Sequence, residues 1–143
     1  MEEADPLTDA LVQSAFETIA VLSRVSAEHD LSLTLVRVLG ILRDRRLRIS
    51  ALAGFLGLER STLSGLVDRA ARRGLVERLP SASDRRAVEI ALTAAGRQLA
   101  TSVAAEVRQA LAPHTASLAP ADRRRLQQLL ERTLTQPGTG AAK

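Results

Sequence analysis

Between residues 7 and 28, apolar side chains recur near helical spacing at Leu11, Ala15, Ile19, Leu22 and Val25, and Val12, Phe16 and Ala20 widen the stripe. The pattern predicts a long helix whose apolar face is broader than one helix on a small core requires. His29 and Asp30 interrupt it. Ser32 then reads as the N-cap of a second helix, from residue 33 to about 43, with Leu35, Val38, Leu39 and Leu42 inward. Leu47, Arg48 and Ile49 form a short β-like segment. Ser50 reads as the N-cap of a third helix over 51–56, which Gly57 ends. In a fourth helix, Leu63, Leu66, Val67 and Ala70 form the inward face. Its other face carries Ser61, Thr62 and Ser64 first, then Asp68, Arg69, Arg72 and Arg73, and Gly74 supplies the left-handed stop.

After Gly74 the period changes from helical to alternating. Residues 75–79 and 87–92 read as strands, the second with Val88, Ile90 and Leu92 on one face. The polar, turn-forming stretch 80–86 between them carries Arg85 and Arg86 at its far end. Two short helices joined by a tight, Gly-containing turn make a helix-turn-helix. Followed directly by a basic hairpin, they make a winged helix. Thr93 caps a further helix to about residue 112, with Leu99, Val103, Val107 and Leu111 as its stripe and Pro113 as its end. Pro120 opens a last helix with Leu126, Leu129, Leu130 and Leu134 inward, and residues 136–143 read as a disordered tail.

Composition narrows the function classes. The chain has 143 residues, enough for a compact lobe with helical appendages, and its 45% hydrophobic and 25% charged residues are those of an ordinary soluble protein. A net charge of +4 is weak support for a polyanionic partner, so distribution matters more than the sum. Glu2, Glu3 and Asp5 make the start acidic, the arginines gather in the middle, and Lys143 is the only lysine. The absence of cysteine excludes disulfides, thiolate metal sites and thiol redox switches. His29 and His114, both near predicted helix ends, read as solvated or capping groups, so no metal site or cofactor is expected. With no phosphate-cradling Gly motif and no nucleophile–base pair, an enzyme is not expected. No apolar stretch approaches the roughly 20 residues that span a bilayer, and the acidic start lacks a leader pattern. A cytoplasmic protein without a membrane partner is the expectation.

Taken alone, the fourth helix equally fits an ordinary amphipathic surface helix, and its neighbours decide. Small hydroxyls at the N-terminal end and arginines toward the C-terminal end suit a helix laid in a DNA major groove. Ser61, Thr62 and Ser64 then reach bases or phosphates, against the alternative of capping the helix start. Arg60, Arg69, Arg72 and Arg73 suit phosphates or ion pairs better than base edges, with Arg69 pairing Asp68 and Arg72 and Arg73 complementing the helix dipole as the structural alternatives.

In this order and spacing, the chain resembles the MarR family of bacterial winged-helix transcriptional regulators. The matching runs are LSLTLVRVL at 31–39, SALA at 50–53 and LVDRAARRGLVER at 66–78. Asp84–Arg85–Arg86–Ala87–Val88 and Leu92–Thr93–Ala94–Ala95–Gly96 complete the match. The resemblance covers nearly the whole chain apart from the termini. It implies a mainly α fold with a small β-hairpin wing: a winged helix-turn-helix lobe over 31–92, dimerisation helices over 1–30 and 93–135, and the tail over 136–143. It implies a homodimer that binds double-stranded DNA at a pseudo-palindromic operator as a ligand-responsive repressor. The broad stripes of the first and fifth helices agree, since a monomer of this size would leave them exposed. The competing expectation is a helical dimerisation or adaptor protein that keeps the winged shape without binding DNA.

Site residues follow from the same resemblance. In the wing it gives Arg86 a minor-groove contact, leaves Asp84 to brace the loop through an arginine, and assigns Arg85 to phosphate or to bracing. A narrow A·T minor groove has an enhanced negative potential that attracts such an arginine. Gly65 departs from the family's pattern, in which many members carry a longer polar or basic side chain there. It costs the helix about 1 kcal/mol relative to Ala, and it reads either as closer backbone approach to DNA or as weaker direct base readout. Regulators of this kind often respond to small aromatic or phenolic effectors. A pocket for one would lie near Phe16, Val38 and Phe55, between the first two helices and the lobe, closed by Arg37.

Overall fold

The computed structural model describes residues 5–134. The expected tail at 136–143 lies outside them. Helix α1 (Pro6–Glu28) starts at Asp5, whose carboxylate accepts the Leu7 N–H at 3.1 Å and the Thr8 hydroxyl. Pro6 fills the first helical position, where no N–H partner is needed. Ser32 caps α2 (Leu33–Ile41) by accepting the Leu35 N–H at 3.1 Å. Between them the α1–α2 turn passes through Asp30 at φ 53°, a left-handed conformation that Asp tolerates better than most residues.

Strand β1 (Leu47–Arg48) leads straight into α3 (Ile49–Leu56). Here the expected cap is corrected: Arg48, not Ser50, is the N-cap, and no side chain caps this helix. The cause is long-range. Leu47 and Arg48 pair with Ile90 and Glu89, which holds the backbone extended to Arg48 and starts the helix at the next residue. Gly57 ends α3 at φ 65°, and α4 (Arg60–Arg72) follows after two further residues. Gly74, at φ 73°, turns the chain out of α4, and the Leu75 N–H reaches back to the Ala70 carbonyl.

Strands β2 (Val76–Pro80) and β3 (Val88–Leu92) pair antiparallel, and the sheet order is β1-β3-β2. Thr93 caps α5 (Ala94–Thr115), its hydroxyl accepting the Gly96 N–H at 3.0 Å. Pro113 lies inside α5 rather than ending it. In the last turn its missing N–H costs one hydrogen bond, and the Ala116 N–H then closes on the Pro113 carbonyl. Helix α6 (Pro120–Thr133) completes the order. The protein is thus mainly helical, with a small three-stranded sheet.

The core gathers where α2, α3, α4 and the sheet meet: Val38, Leu39, Leu42, Leu52, Leu63, Val67 and Ile90 are almost wholly buried. Two expectations change at its edge. Leu126, Leu129 and Leu130 of α6 and its C-cap Leu134 are exposed, and α6 buries no residue within this chain. On α5, Val103 is buried and Leu99, Val107 and Leu111 are partly buried against the core, so that stripe serves the monomer. The longer runs of uncovered apolar surface lie on α1 instead, at Leu7, Leu11, Val12, Phe16 and Ile19, and on α6, while Leu33 and Val88 are exposed singly. No helix among the described residues is long and apolar enough to cross a membrane.

Candidate nucleic-acid interface

Helix α4 is fixed from below by Leu63, Val67 and Ala70, each fully buried. That packing leaves Arg60, Ser61, Thr62, Arg69 and Arg72 on the solvent face, with Ser64 and Gly65 half-buried at its margin. Glu59 is the N-cap but its side chain caps nothing. The hydroxyls of Ser61, Thr62 and Ser64 make no side-chain hydrogen bond among the described residues. Arg69 folds back over Gly65: its Nη1 lies 3.4 Å from where a Cβ on Gly65 would sit.

Two charges, one on α4 and one just past it, are already engaged. Asp68 pairs with Arg78 on β2, not with Arg69, and so ties α4 to the hairpin. Arg73, just past α4, donates to the backbone carbonyls of Asp30 (2.7 Å) and His29 (3.2 Å) in the α1–α2 turn. Arg60 and Arg72 make no such contact among the described residues.

The wing is stiffened from within and from β1. The Asp84 carboxylate accepts the Arg86 N–H at 3.0 Å, and its carbonyl accepts the Ala87 N–H. Its other oxygen lies 3.9 Å from Arg48, a longer contact between two half-exposed side chains. At the loop end of the β2–β3 ladder Arg46 donates to Glu89 (3.2 Å) and to the Pro80 carbonyl (3.3 Å), bridging β3 and β2. The Arg85 and Arg86 side chains are left exposed, without a partner among the described residues. Of the bracing arginines, Arg46 belongs to a basic turn, Arg43–Asp44–Arg45–Arg46, and Arg48 to the short β-like segment that follows it. Their partners lie some 35 to 45 residues away, so no local pattern announces them. In the same turn Arg45 lies over the Phe55 ring, 5.6 Å from its centroid, and its hydrogen bond and charge hold the Asp44 carboxyl below its ordinary range.

A cleft of about 370 Å³ opens between α1, α2 and the end of α3, lined by Leu22, Leu33, Thr34, Val36, Arg37, Leu56 and Leu58. Of the four residues expected at a pocket, Arg37 is there, donating to the Phe55 carbonyl at 3.0 Å. The other three do not line it: Val38 is buried in the core, Phe16 is exposed on α1, and Phe55 supplies the carbonyl that Arg37 holds. His29 is the C-cap of α1, and both histidines also join α1 to α5: His29 to Glu106 at 2.9 Å, and His114 to Glu17 at 3.7 Å. No group of three or more metal-ligating side chains occurs among the described residues.

The MarR family model matches residues 31–88, the span from α2 to the start of β3. The crystal structure of RV1404 from Mycobacterium tuberculosis is similar at 31% identity over 92% of each chain, with a TM-score of 0.75. CouR from Rhodococcus jostii RHA1, solved bound to p-coumaroyl-CoA, shares the fold at a TM-score of 0.78 and 24% identity, over 94% of this chain and 100% of that one. Apo MarR from E. coli does so at 0.75 and 24%, with the same coverage. No curated protein matches the sequence significantly.

Proposed function

The chain belongs to the MarR family of transcriptional regulators, and from that premise we propose that it is a homodimeric, ligand-responsive repressor of a pseudo-palindromic DNA operator. Residues 31–92 form the DNA-binding lobe, and residues 1–30 and 93–135 the dimerisation region. The observation that carries the reading is the set of unengaged cations on α4 and the wing. Arg60, Arg72, Arg85 and Arg86 are exposed and unpaired among the described residues, while the neighbouring Asp68 is neutralised by Arg78. Helix α4 enters the major groove with Ser61, Thr62 and Ser64 leading and Arg69 lying over Gly65. Arg86 enters the minor groove, braced by Asp84, and Arg85 holds phosphate. Two-fold symmetry sets the recognition helices about 34 Å apart, one turn of B-DNA.

An effector fits the cleft between α1, α2 and α3, its apolar body on Leu22, Leu33 and Leu56 and an acceptor group at Arg37. It releases DNA by favouring a dimer geometry that no longer matches the half-site spacing.

Selection of bound fragments from random DNA, followed by salt titration of the selected duplex, tests the reading. A pseudo-palindromic site is expected. Replacing Arg85 and Arg86 by Ala should weaken binding and flatten the plot of log K against log salt, by about 0.9 for each phosphate no longer neutralised. Unchanged binding sinks the wing assignment. A folded dimer that selects no duplex leaves the adaptor reading in its place.

A further inference from the structure

The end of the recognition helix is held from two directions, and neither hold involves its DNA-facing side. From one direction comes α5: the Thr93 hydroxyl donates to the Gly74 carbonyl and the Thr93 N–H to the Leu75 carbonyl. From the other comes the α1–α2 turn. There Arg73 spreads its two terminal nitrogens over the His29 and Asp30 carbonyls, at 3.2 and 2.7 Å. The His29 ring carries the connection on to Glu106 of α5, at 2.9 Å. The turn it grips is the one place among the described residues where a side-chain-bearing residue has positive φ. Such a conformation persists when its surroundings over-determine it, and a planar guanidinium spanning two adjacent carbonyls does so.

We propose that Arg73 is a positioning residue rather than a DNA contact: it locks the α1–α2 turn to the end of the recognition helix and so sets that helix's pose on DNA. A change in how α1 lies against α5 reaches α4 through this joint. The inference rests on the DNA-binding reading for its consequence, though not for its geometry. A phosphate contact needs only a positive charge, which lysine supplies; the joint needs the fork, which lysine lacks.

The full-length protein is compared as wild type, Arg73→Ala, Arg73→Lys and Arg72→Ala. Without DNA, amide exchange should accelerate at Asp30, Leu31 and Leu75 in both Arg73 variants and stay unchanged in Arg72→Ala. On the selected duplex, both Arg73 variants should bind about tenfold more weakly with an unchanged salt slope. Adding Asp30→Gly to Arg73→Ala should recover protection and part of the affinity, because glycine holds positive φ without help. Full affinity in Arg73→Lys with a slope lowered by about 0.9 in Arg73→Ala would make Arg73 a phosphate ligand and overturn the proposal. Unchanged exchange in Arg73→Ala overturns it as well. If the wild type binds no duplex, the exchange data still decide the joint, while the DNA-binding reading fails separately.

Discussion

Two glycines on or beside the DNA-facing lobe have opposite tolerances. A Cβ on Gly65 would meet only the flexible end of Arg69, at 3.4 Å. Gly65→Ala should therefore raise folding stability by about 1 kcal/mol in urea denaturation and, under the proposed DNA-binding role, weaken operator binding as the methyl crowds Arg69. On Gly96 a Cβ would lie 1.9 Å from the Leu75 carbonyl oxygen, backbone against backbone. Gly96→Ala should destabilise by about 1–3 kcal/mol, seen as a lowered Tm. The sequence marks both as mid-pattern glycines and says nothing of which one is pressed. What was legible at this scale was the residue type at each exposed position of α4 and the wing. Engagement was not legible, because Asp68, Arg46 and Arg73 find their partners between 10 and 44 residues away.

At the scale of elements, helix ends were readable wherever the cap is local. Ser32 and Thr93 each accept the N–H three residues on, and Gly57 and Gly74 take the left-handed stop. Ser50 failed as a cap because strand pairing with β3 sets where α3 begins, and Pro113 failed as a stop because the last helical turn tolerates it. At the start of α1, the Thr8 hydroxyl first, then the Thr8 and Leu7 N–H groups, hold the Asp5 carboxyl below its ordinary value of 3.8. A lowered folded-state pKa contributes stability above 3.8 that is lost as pH falls through the lower value. Amide exchange at Leu7 and Thr8 should thus gain an acid-dependent component below about pH 4, beyond the intrinsic exchange rate. Asp5→Ala should remove that component and leave those amides unprotected at every pH.

The whole molecule leaves its apolar surface uncovered on α1 and α6, with Phe16 and Leu134 each 68% exposed. Sequence periodicity found these stripes but assigned the α6 leucines to the interior, since periodicity shows that a face is buried without showing in what. If the proposed dimer forms through these faces, the double substitution Leu126→Glu and Leu130→Glu should give a monomer in sedimentation equilibrium, leave the helical content of the lobe intact, and abolish operator binding. The sheet has a further consequence at this scale. One border, β1, is two residues long, and the other, β2, carries Glu77 and Arg78 and closes on Pro80. Short, charged and proline-ended borders resist the addition of foreign strands. Copies of the chain at high local concentration would therefore stay separate particles, free to exchange, instead of knitting into a fibre.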